Sequence, residues 1–282
     1  MIYPNIDKVA VSLGPVDIHW YGITYIVAFL LAYVVLRVRA KQEFYRDWTH
    51  DHIGDLVFYC ALGAILGGRL GYVFFYNFSA FLNDPLYLFR VWEGGMAFHG
   101  GLLGSLAAVA YFSRTTQRSF FAVTDFAAVV TPLGLFSGRI GNFINGELWG
   151  KTTSLPWGIQ LPCKEFKSFC TESTDKYSPP LHPAQLYEGV LEGLVLFLIL
   201  WLFARRARPI GAISGLFLIF YGLFRFLVEF VRLPDSHIGY LMWNWVTMGQ
   251  VLSLPMIIAG GVLVYWSYTQ QRPGLTAPVQ KR

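Results

Sequence analysis

The chain contains seven apolar segments, each about twenty residues long, separated by polar connections. A segment of this length can cross the hydrocarbon core of a bilayer as a helix. Backbone groups in lipid must be satisfied internally, which leaves helices and closed barrels as the spanning structures. We therefore predict an all-α integral membrane protein with seven transmembrane helices, over residues 17–36, 53–77, 94–113, 120–141, 186–204, 211–231 and 246–266.

Composition supports this class. The chain is 55% hydrophobic and 14% charged, whereas a soluble domain carries roughly 25% charged residues. The net charge of +5 does not indicate nucleic acid, because the basic residues lie mostly at the ends of apolar segments. No cleavable signal peptide is evident, so we expect the first segment to be retained and residues 1–282 to form one polytopic domain.

Basic residues concentrate on one side of the predicted helices. Because cytoplasmic loops are enriched in Lys and Arg, the N-terminus is predicted outside and the C-terminus in the cytoplasm. The opposite side has seven basic residues, four of them in one long loop at 143–185. The cytoplasmic set comprises Arg37, Arg39, Lys41, Arg46, Arg114, Arg118, Arg205, Arg206, Arg208, Arg272, Lys281 and Arg282.

The loop at 143–185 is expected to form a small head or lid on the outer side. It contains Cys163 and Cys170, which could form a disulfide in an oxidising space or remain two free thiols. Cys60 lies in an apolar segment and is interpreted as a small core residue. No cysteine spacing resembles a zinc site, and we expect neither a metal nor a cofactor.

Three arginines lie inside apolar segments at a similar depth. Arg69, Arg139 and Arg225 fall roughly 24, 28 and 21 Å along helices that run outward, in the outer part of a layer about 30 Å thick. A charge inside a membrane helix is costly and marks a function by default. We predict an anion site with lipid phosphate as the nearest ligand. Arg69 could instead snorkel to the interface, and Arg225 with Glu229 could be a buried ion pair.

Other polar side chains converge on this depth, and nothing comparable lines the inner half of the helices. Tyr221, Arg225 and Glu229 share one helical face because they are spaced four residues apart. Glu188 and Glu192 could face a small polar cavity, or one of them could carry a proton. The remaining members of this group are His19, Trp20, Tyr21, His99, Asn142, Asn145, Glu147, His182, Gln185 and Tyr187.

The segment at 138–150, GRIGNFINGELWG, resembles the signature of the prolipoprotein diacylglyceryl transferase family. Further segments resemble the family in the same order, namely HWYG (19–22), GGRLGY (67–72), DPLYLFRVWEGGMAFHGG (84–101), HPAQLYE (182–188) and GLFRFLVEFVR (222–232). Residues 151–181 do not contribute to the resemblance.

The resemblance implies an enzyme of the bacterial inner membrane with seven helices and a periplasmic head. Its partners would be phosphatidylglycerol and a prolipoprotein signal peptide. It would transfer sn-1,2-diacylglyceryl to the lipobox cysteine and release glycerol 1-phosphate. At matching positions the resemblance implies two essential arginines, Arg139 and Arg225, an important histidine, His99, and the site residues Tyr21, Asn142, Glu147, Tyr221 and Glu229.

The residue types suit this chemistry. Arginine binds phosphate through a planar fork and stays protonated in lipid. The cysteine thiol needs a base or a nearby cation, so either His99 or Arg225 could activate it. Hydrogen bonds to the glycerol headgroup are expected from Tyr21, Asn142, Asn145 and Glu147, with supporting roles for Arg69, His182, Gln185 and Glu188.

Three other classes compete with this interpretation. A transporter for an anionic solute would also use intramembrane arginine, but it needs access from both faces. An intramembrane protease could use Ser137, although no Ser–His pair is fixed by spacing. A structural scaffold would leave the outer polar group unexplained.

Overall fold

The structure, a computed structural model, describes residues 1–4, 6–14, 16–45, 47–172, 174–234 and 239–270. Arg46, Arg272, Lys281 and Arg282, which enter the orientation argument, lie outside the described residues. The chain divides into two compact units. Unit 1 comprises Met1–Leu31 with Ala128–Arg272, described as far as residue 270, and the described part of unit 2 is Ala32–Ala127.

The described residues are mostly helical. Two strands, β1 (Val9–Leu13) and β2 (Val16–His19), form an antiparallel hairpin near the N-terminus. The helices are α1 (Trp20–Arg39), α2 (His50–Tyr76), α3 (Phe78–Asn83), α4 (Phe98–Thr115), α5 (Phe120–Ala128), α6 (Thr131–Asn145), α7 (Ala184–Glu188), a π-helix (Gly189–Val195), α8 (Leu196–Phe203), α9 (Ala212–Val228) and α10 (Met248–Thr269).

Two predicted segments differ in detail. Residues 17–19 lie in β2, so the first helix begins later than expected, at Trp20. The segment at 120–141 is two helices, α5 and α6, which meet at an angle of 49°. Pro132 stands in the first turn of α6. Since proline has no N–H and its ring collides with the preceding turn, a continuous helix is broken there.

Four helices are long and apolar enough to cross a membrane: α1, α2, α10 and the continuous stretch Ala184–Phe203. The bent pair of α5 and α6 would make a fifth span, and α9 is apolar but shorter. The mostly helical membrane fold is thus confirmed, while the count of seven spans stays a prediction.

Small residues bring α2 and α4 together in unit 2. A Cβ on Gly67 would lie 2.3 Å from the carbonyl oxygen of Gly100, and one on Gly63 would lie 2.4 Å from that of Gly104. Distances this short exclude any side chain at these positions. Membrane helices pack closely through such residues because lipid offers little hydrophobic drive for association.

Unit 2 also contains a buried polar cluster that the sequence pattern does not predict. Arg39, which the orientation argument treats as a loop charge, is fully buried. Its guanidinium donates to the hydroxyl of Tyr45 and lies 4.6 Å from the centre of that ring. The carboxyl-bearing Asp125 is also buried, at 4% exposure. Arg39 and Asp125 therefore place buried polar groups near the end of α1 and within α5.

In unit 1, residues after α6 and the first residues of the chain build a head with its own small core. Tyr3, Trp149, Ile159, Leu161 and Leu181 form this core, and Cys163 and Cys170 are joined by a disulfide. The hydroxyl of Tyr3 donates to the carbonyl oxygens of residues 143 and 144, at 2.9 and 2.8 Å. The head is therefore bound to the C-terminal end of α6, which carries Arg139 two turns earlier.

Candidate functional site

Glu188 lies at the centre of an ion network in unit 1. Its side chain is fully buried and stands at the end of α7. Oε2 lies 2.8 Å from Nε of Arg139. Oε1 accepts hydrogen bonds from Nη1 of Arg225 and, at 3.0 Å, from Nη1 of Arg232. One carboxylate thus joins three guanidinium groups, and we call these residues with Glu192 and Glu229 the arginine network.

Arg139 is positioned by the close packing of α6 against its neighbours. Its Nη1 donates to Oδ1 of Asn142, one turn later, at 3.3 Å. A Cβ on Gly141 would lie 2.8 Å from the ring of Tyr21, and a Cβ on Gly193 would lie 2.6 Å from Phe136. Glycines therefore allow α6 to sit close to both α1 and the π-helix.

Arg225 is held by carboxylates on two sides. Besides Glu188, it has Oε1 of Glu229 at 2.5 Å from Nη2, one helical turn later. Glu229 also accepts a 2.6 Å hydrogen bond from Oγ1 of Thr247, the residue that caps α10. The start of α10 thereby fixes the carboxylate that orients Arg225. The buried-ion-pair interpretation of Arg225 and Glu229 describes part of this arrangement.

Glu192 and Gln185 are buried on the same stretch of chain, and their polar groups have few hydrogen-bonding or ionic partners. Both are at 0% exposure. Glu192 Oε2 lies 3.6 Å from Nη2 of Arg139, and neither of its carboxyl oxygens accepts a hydrogen bond from the residues that the structure describes. The same holds for both amide atoms of Gln185. Glu192 stands in the π-helix, a rare geometry found often at functional sites.

The other residues predicted to bind the headgroup make their own contacts, mostly outside the arginine network. Nδ2 of Asn145 donates to Oε1 of the exposed Glu147 at 2.7 Å. Tyr21 contacts Tyr25 through the ring and hydroxyl. Tyr221 stacks on Phe217, with ring centres 5.6 Å apart. The structure brings Asn142 into direct contact with the network, whereas Asn145 and Glu147 bind each other.

An open apolar cavity of about 280 Å³ borders the network. It is lined by Leu155, Trp157, His182, Tyr187, Leu191, Leu227, Val228 and Val231. Four of these directly precede a member of the network in sequence: Tyr187, Leu191, Val228 and Val231 precede Glu188, Glu192, Glu229 and Arg232. The network and the cavity therefore share the same turns of chain.

A short chain of hydrogen bonds spans one wall of this cavity. The Tyr187 hydroxyl accepts from Trp157 Nε1 at 2.7 Å and lies 3.2 Å from Nδ1 of His182. Partial burial lowers the pKa of His182, which favours its neutral ring. His182 therefore acts as a hydrogen-bonding wall residue of the cavity, separate from the ion pairs.

Arg69 and His99 belong to unit 2. Arg69 is at 3% exposure, and its guanidinium donates to the carbonyl oxygens of Tyr87, Leu88, Gly94 and Gly95. The donors of Arg69 are therefore engaged by backbone carbonyls of residues 87–95. His99 is exposed in the first turn of α4.

Sequence reasoning missed two residues, namely Arg232, a member of the network, and Thr247, which donates to Glu229. Arg232 is one of the seven basic residues counted on the outer side, although its spacing of three from Glu229 places the two on one helical face. Thr247 has no sequence signal beyond its place before an apolar segment. Ser137, the candidate protease nucleophile, is buried and donates to the carbonyl oxygen of Thr24 at 2.6 Å.

Comparisons with known proteins extend over nearly the whole chain. The sequence profile described as prolipoprotein diacylglyceryl transferase matches residues 8–266. A protein from Pseudomonas fluorescens (strain Pf0-1) is 50% identical over 276 residues, covering 98% of each chain. One from Pseudomonas syringae pv. syringae is 52% identical over 94% of this chain and 95% of its own length.

A third relative, from Coxiella burnetii (strain RSA 331 / Henzerling II), is 50% identical over 95% of this chain and 98% of its own length. All three relatives are named phosphatidylglycerol–prolipoprotein diacylglyceryl transferase. The match spans the helices, the head and every residue of the arginine network, and the family resemblance read from the sequence is confirmed. The chain belongs to the prolipoprotein diacylglyceryl transferase family.

Proposed function

We propose that this protein transfers sn-1,2-diacylglyceryl from phosphatidylglycerol to the lipobox cysteine of a prolipoprotein, forming a thioether and releasing sn-glycerol 1-phosphate. Full-length relatives named for this transfer support the proposal. The observation that carries it is the arginine network beside an apolar cavity. An amphiphilic substrate needs that pairing of cationic and apolar surfaces.

The reaction breaks the C–O bond between the diacylglycerol carbon and the phosphate, and it forms a C–S bond at the same carbon. Negative charge grows on the leaving phosphate, so preorganised cations at that oxygen lower the barrier. Arg139 and Arg225 keep 19% and 17% of their side chains exposed while their other donors are engaged. Both can therefore reach a phosphate without losing the carboxylates that orient them.

The thiol must lose its proton, and there are two candidates for the group that activates it. His99 is the proposed base because histidine is the side chain that most readily exchanges a proton near neutral pH, while Arg225 could stabilise the thiolate electrostatically. A His99→Gln variant should then lose more activity at pH 7 than at pH 9, measured as initial rates of transfer. An equal loss at both pH values would assign activation elsewhere.

The glycerol headgroup is proposed to bind through Tyr21, Asn142, Asn145, Glu147 and Tyr221. Their amide, hydroxyl and carboxylate groups match the hydroxyls of a glycerol. Arg69, Gln185 and His182 are proposed as supporting residues, and Glu188 and Glu229 as the carboxylates that orient the arginines.

The topology proposed for this function has seven spans, an outer N-terminus and a cytoplasmic C-terminus. Residues 143–185 would be a periplasmic head of one polytopic domain in the bacterial inner membrane. The disulfide between Cys163 and Cys170 supports an oxidising location for that head. The network would then face the periplasmic leaflet.

The direct test is to incubate the purified protein with phosphatidylglycerol and a lipobox peptide, and to measure the mass added to the peptide cysteine. Wild-type protein should add one diacylglyceryl group per peptide. Arg139→Ala and Arg225→Ala should remain folded and lose at least about 100-fold in rate, whereas the exposed Arg205→Ala should not. Near-normal transfer by either network variant would refute its assignment to the phosphate.

A further inference from the structure

The arginine network contains equal numbers of cationic and acidic side chains. Arg139, Arg225 and Arg232 face the carboxyl groups of Glu188, Glu192 and Glu229. If all six groups were ionised, their charges would cancel. A network without net charge has little electrostatic preference for an anionic ligand, because each arginine is already neutralised by a carboxylate.

The three carboxyl groups are compensated very unequally. Glu188 binds three guanidinium groups. Glu229 has Arg225 at 2.5 Å and a hydrogen bond from Thr247 at 2.6 Å. Glu192 has one cation, 3.6 Å away, and its oxygens accept no hydrogen bond from the described residues.

Groups from every packed element face Glu192. These are Arg139 on α6, Glu188 on α7, Tyr221 and Arg225 on α9, and Arg232 just beyond α9. The three arginines are already bound to Glu188, whose negative charge opposes a second anion beside it. Burying an ionised carboxylate without hydrogen bonds is costly enough that such a group takes up a proton instead.

We propose that Glu192 is held as a neutral carboxylic acid, so that the arginine network carries one net positive charge and is matched to one phosphodiester anion. The choice of ligand rests on the proposed function; the charge state of Glu192 does not. Glu192 is then a positioning residue, because it sets the charge felt by the phosphate without contacting the reacting atoms. Ionisation of Glu192 at alkaline pH would cancel the net charge and weaken lipid binding.

The charge state can be measured without any turnover. Infrared difference spectra of the purified full chain, recorded between neutral and alkaline pH, should contain the carbonyl band of a buried protonated carboxylic acid. Glu192→Gln should remove that band, and the exposed Glu172→Gln should leave it. An unchanged spectrum in Glu192→Gln would overturn the proposal, whether or not the protein transfers diacylglyceryl.

Binding gives a second readout, using phosphatidylglycerol and the purified chain in detergent micelles. For the wild type, Kd should rise by about tenfold or more as Glu192 ionises at alkaline pH. For Glu192→Gln, Kd should match the wild type at neutral pH and stay flat as pH rises. Tighter binding by Glu192→Gln at neutral pH would show that the native carboxyl is ionised, and would overturn the proposal.

Folding of the variants is itself informative. A neutral carboxyl should be replaceable by another neutral side chain of similar size, so Glu192→Gln or Glu192→Met should fold. Loss of folding in both would mean that a buried negative charge is required, and would overturn the proposal. Absence of lipid transfer by the wild type, with the infrared band present, would instead refute the proposed function alone.

Discussion

The 2.8 Å contact between Glu188 Oε2 and Arg139 Nε joins the end of α7 to the middle of α6. The contact uses the inner Nε of the guanidinium and leaves the terminal nitrogens for other partners. Glu188 therefore orients Arg139 without occupying its two terminal guanidinium nitrogens. An arginine held in this way would lose little side-chain entropy on binding a phosphate.

Replacing Glu188 by Gln should destabilise the protein strongly. It removes the carboxylate that Arg139, Arg225 and Arg232 share, so that each of these partly buried cations loses one partner. Breaking a buried charge pair from one side costs about 3–5 kcal/mol. Thermal unfolding in detergent should reveal the loss, and the exposed Glu172→Gln is the control. A melting temperature equal to wild type would contradict the central role of Glu188.

Arg69→Lys should loosen residues 87–95 while leaving lipid affinity unchanged. Arg69 donates to four carbonyl oxygens of that segment, and the three donors of a lysine ammonium cannot reproduce the planar arrangement. Limited proteolysis should cut this segment faster in the variant. The exposed Arg114→Lys, in the same unit, should behave as wild type. A raised Kd for phosphatidylglycerol with unchanged proteolysis would instead place Arg69 in the binding site.

Gly67→Ala should separate α2 from α4. Its new methyl group would meet the Gly100 carbonyl oxygen at 2.3 Å, and overpacking of this kind costs about 1–3 kcal/mol. Gly54→Ala on the same helix is the matched control, because a Cβ there meets nothing within 4 Å. Urea or thermal unfolding of both variants gives the comparison. Equal stability of the two would show that the helices can shift apart freely.

Tyr3→Phe should weaken the attachment of the head to α6. It removes the hydroxyl that donates to the carbonyl oxygens of Phe143 and Ile144, at a cost of about 1–3 kcal/mol. Burial first, and the negative charge of Glu165 second, raise the pKa of Tyr3. The hydroxyl's contribution should be present below about pH 10 and be lost as pH rises through the raised pKa.

This pH dependence gives the measurement for Tyr3. The difference in melting temperature between wild type and Tyr3→Phe should be largest near neutral pH and shrink in alkali. Tyr265→Phe, at an exposed position of α10, controls for the loss of a tyrosine. A difference that stays constant into alkali would show that the phenol does not ionise within the folded head.

The amino-acid sequence locates the arginines more accurately than it locates their partners. Depth along a helix follows from counting residues, so Arg139 and Arg225 can be grouped by their positions in the chain alone. Partner choice depends on how each helix is rotated, and the π-helix at Gly189–Val195 alters that rotation in a way no apolar periodicity reveals. Arg232 and Thr247 escape prediction for a different reason, since both lie outside the helices, Arg232 just beyond α9 and Thr247 at the cap of α10.

Local sequence context is also a poor guide to role. Arg69 and Arg139 both stand between glycines in similar motifs. Arg69 binds backbone carbonyls of a loop, whereas Arg139 binds carboxylates of other helices. The difference arises from what each helix faces, which is a property of the tertiary structure. The same limitation explains Arg39, whose buried site is formed by the nearby Tyr45 and by Phe126, a ring distant in sequence.

The contact of Gly67 and Gly63 with Gly100 and Gly104 has a consequence for how lipid travels. Where two backbones touch, no hydrocarbon tail can slip between them, so the α2–α4 seam is sealed along those turns. A lipid that reaches the reaction centre must therefore pass between other helices. The α2–α4 contact is a fixed part of the structure. Bulkier residues there should destabilise the protein without creating a new path for lipid.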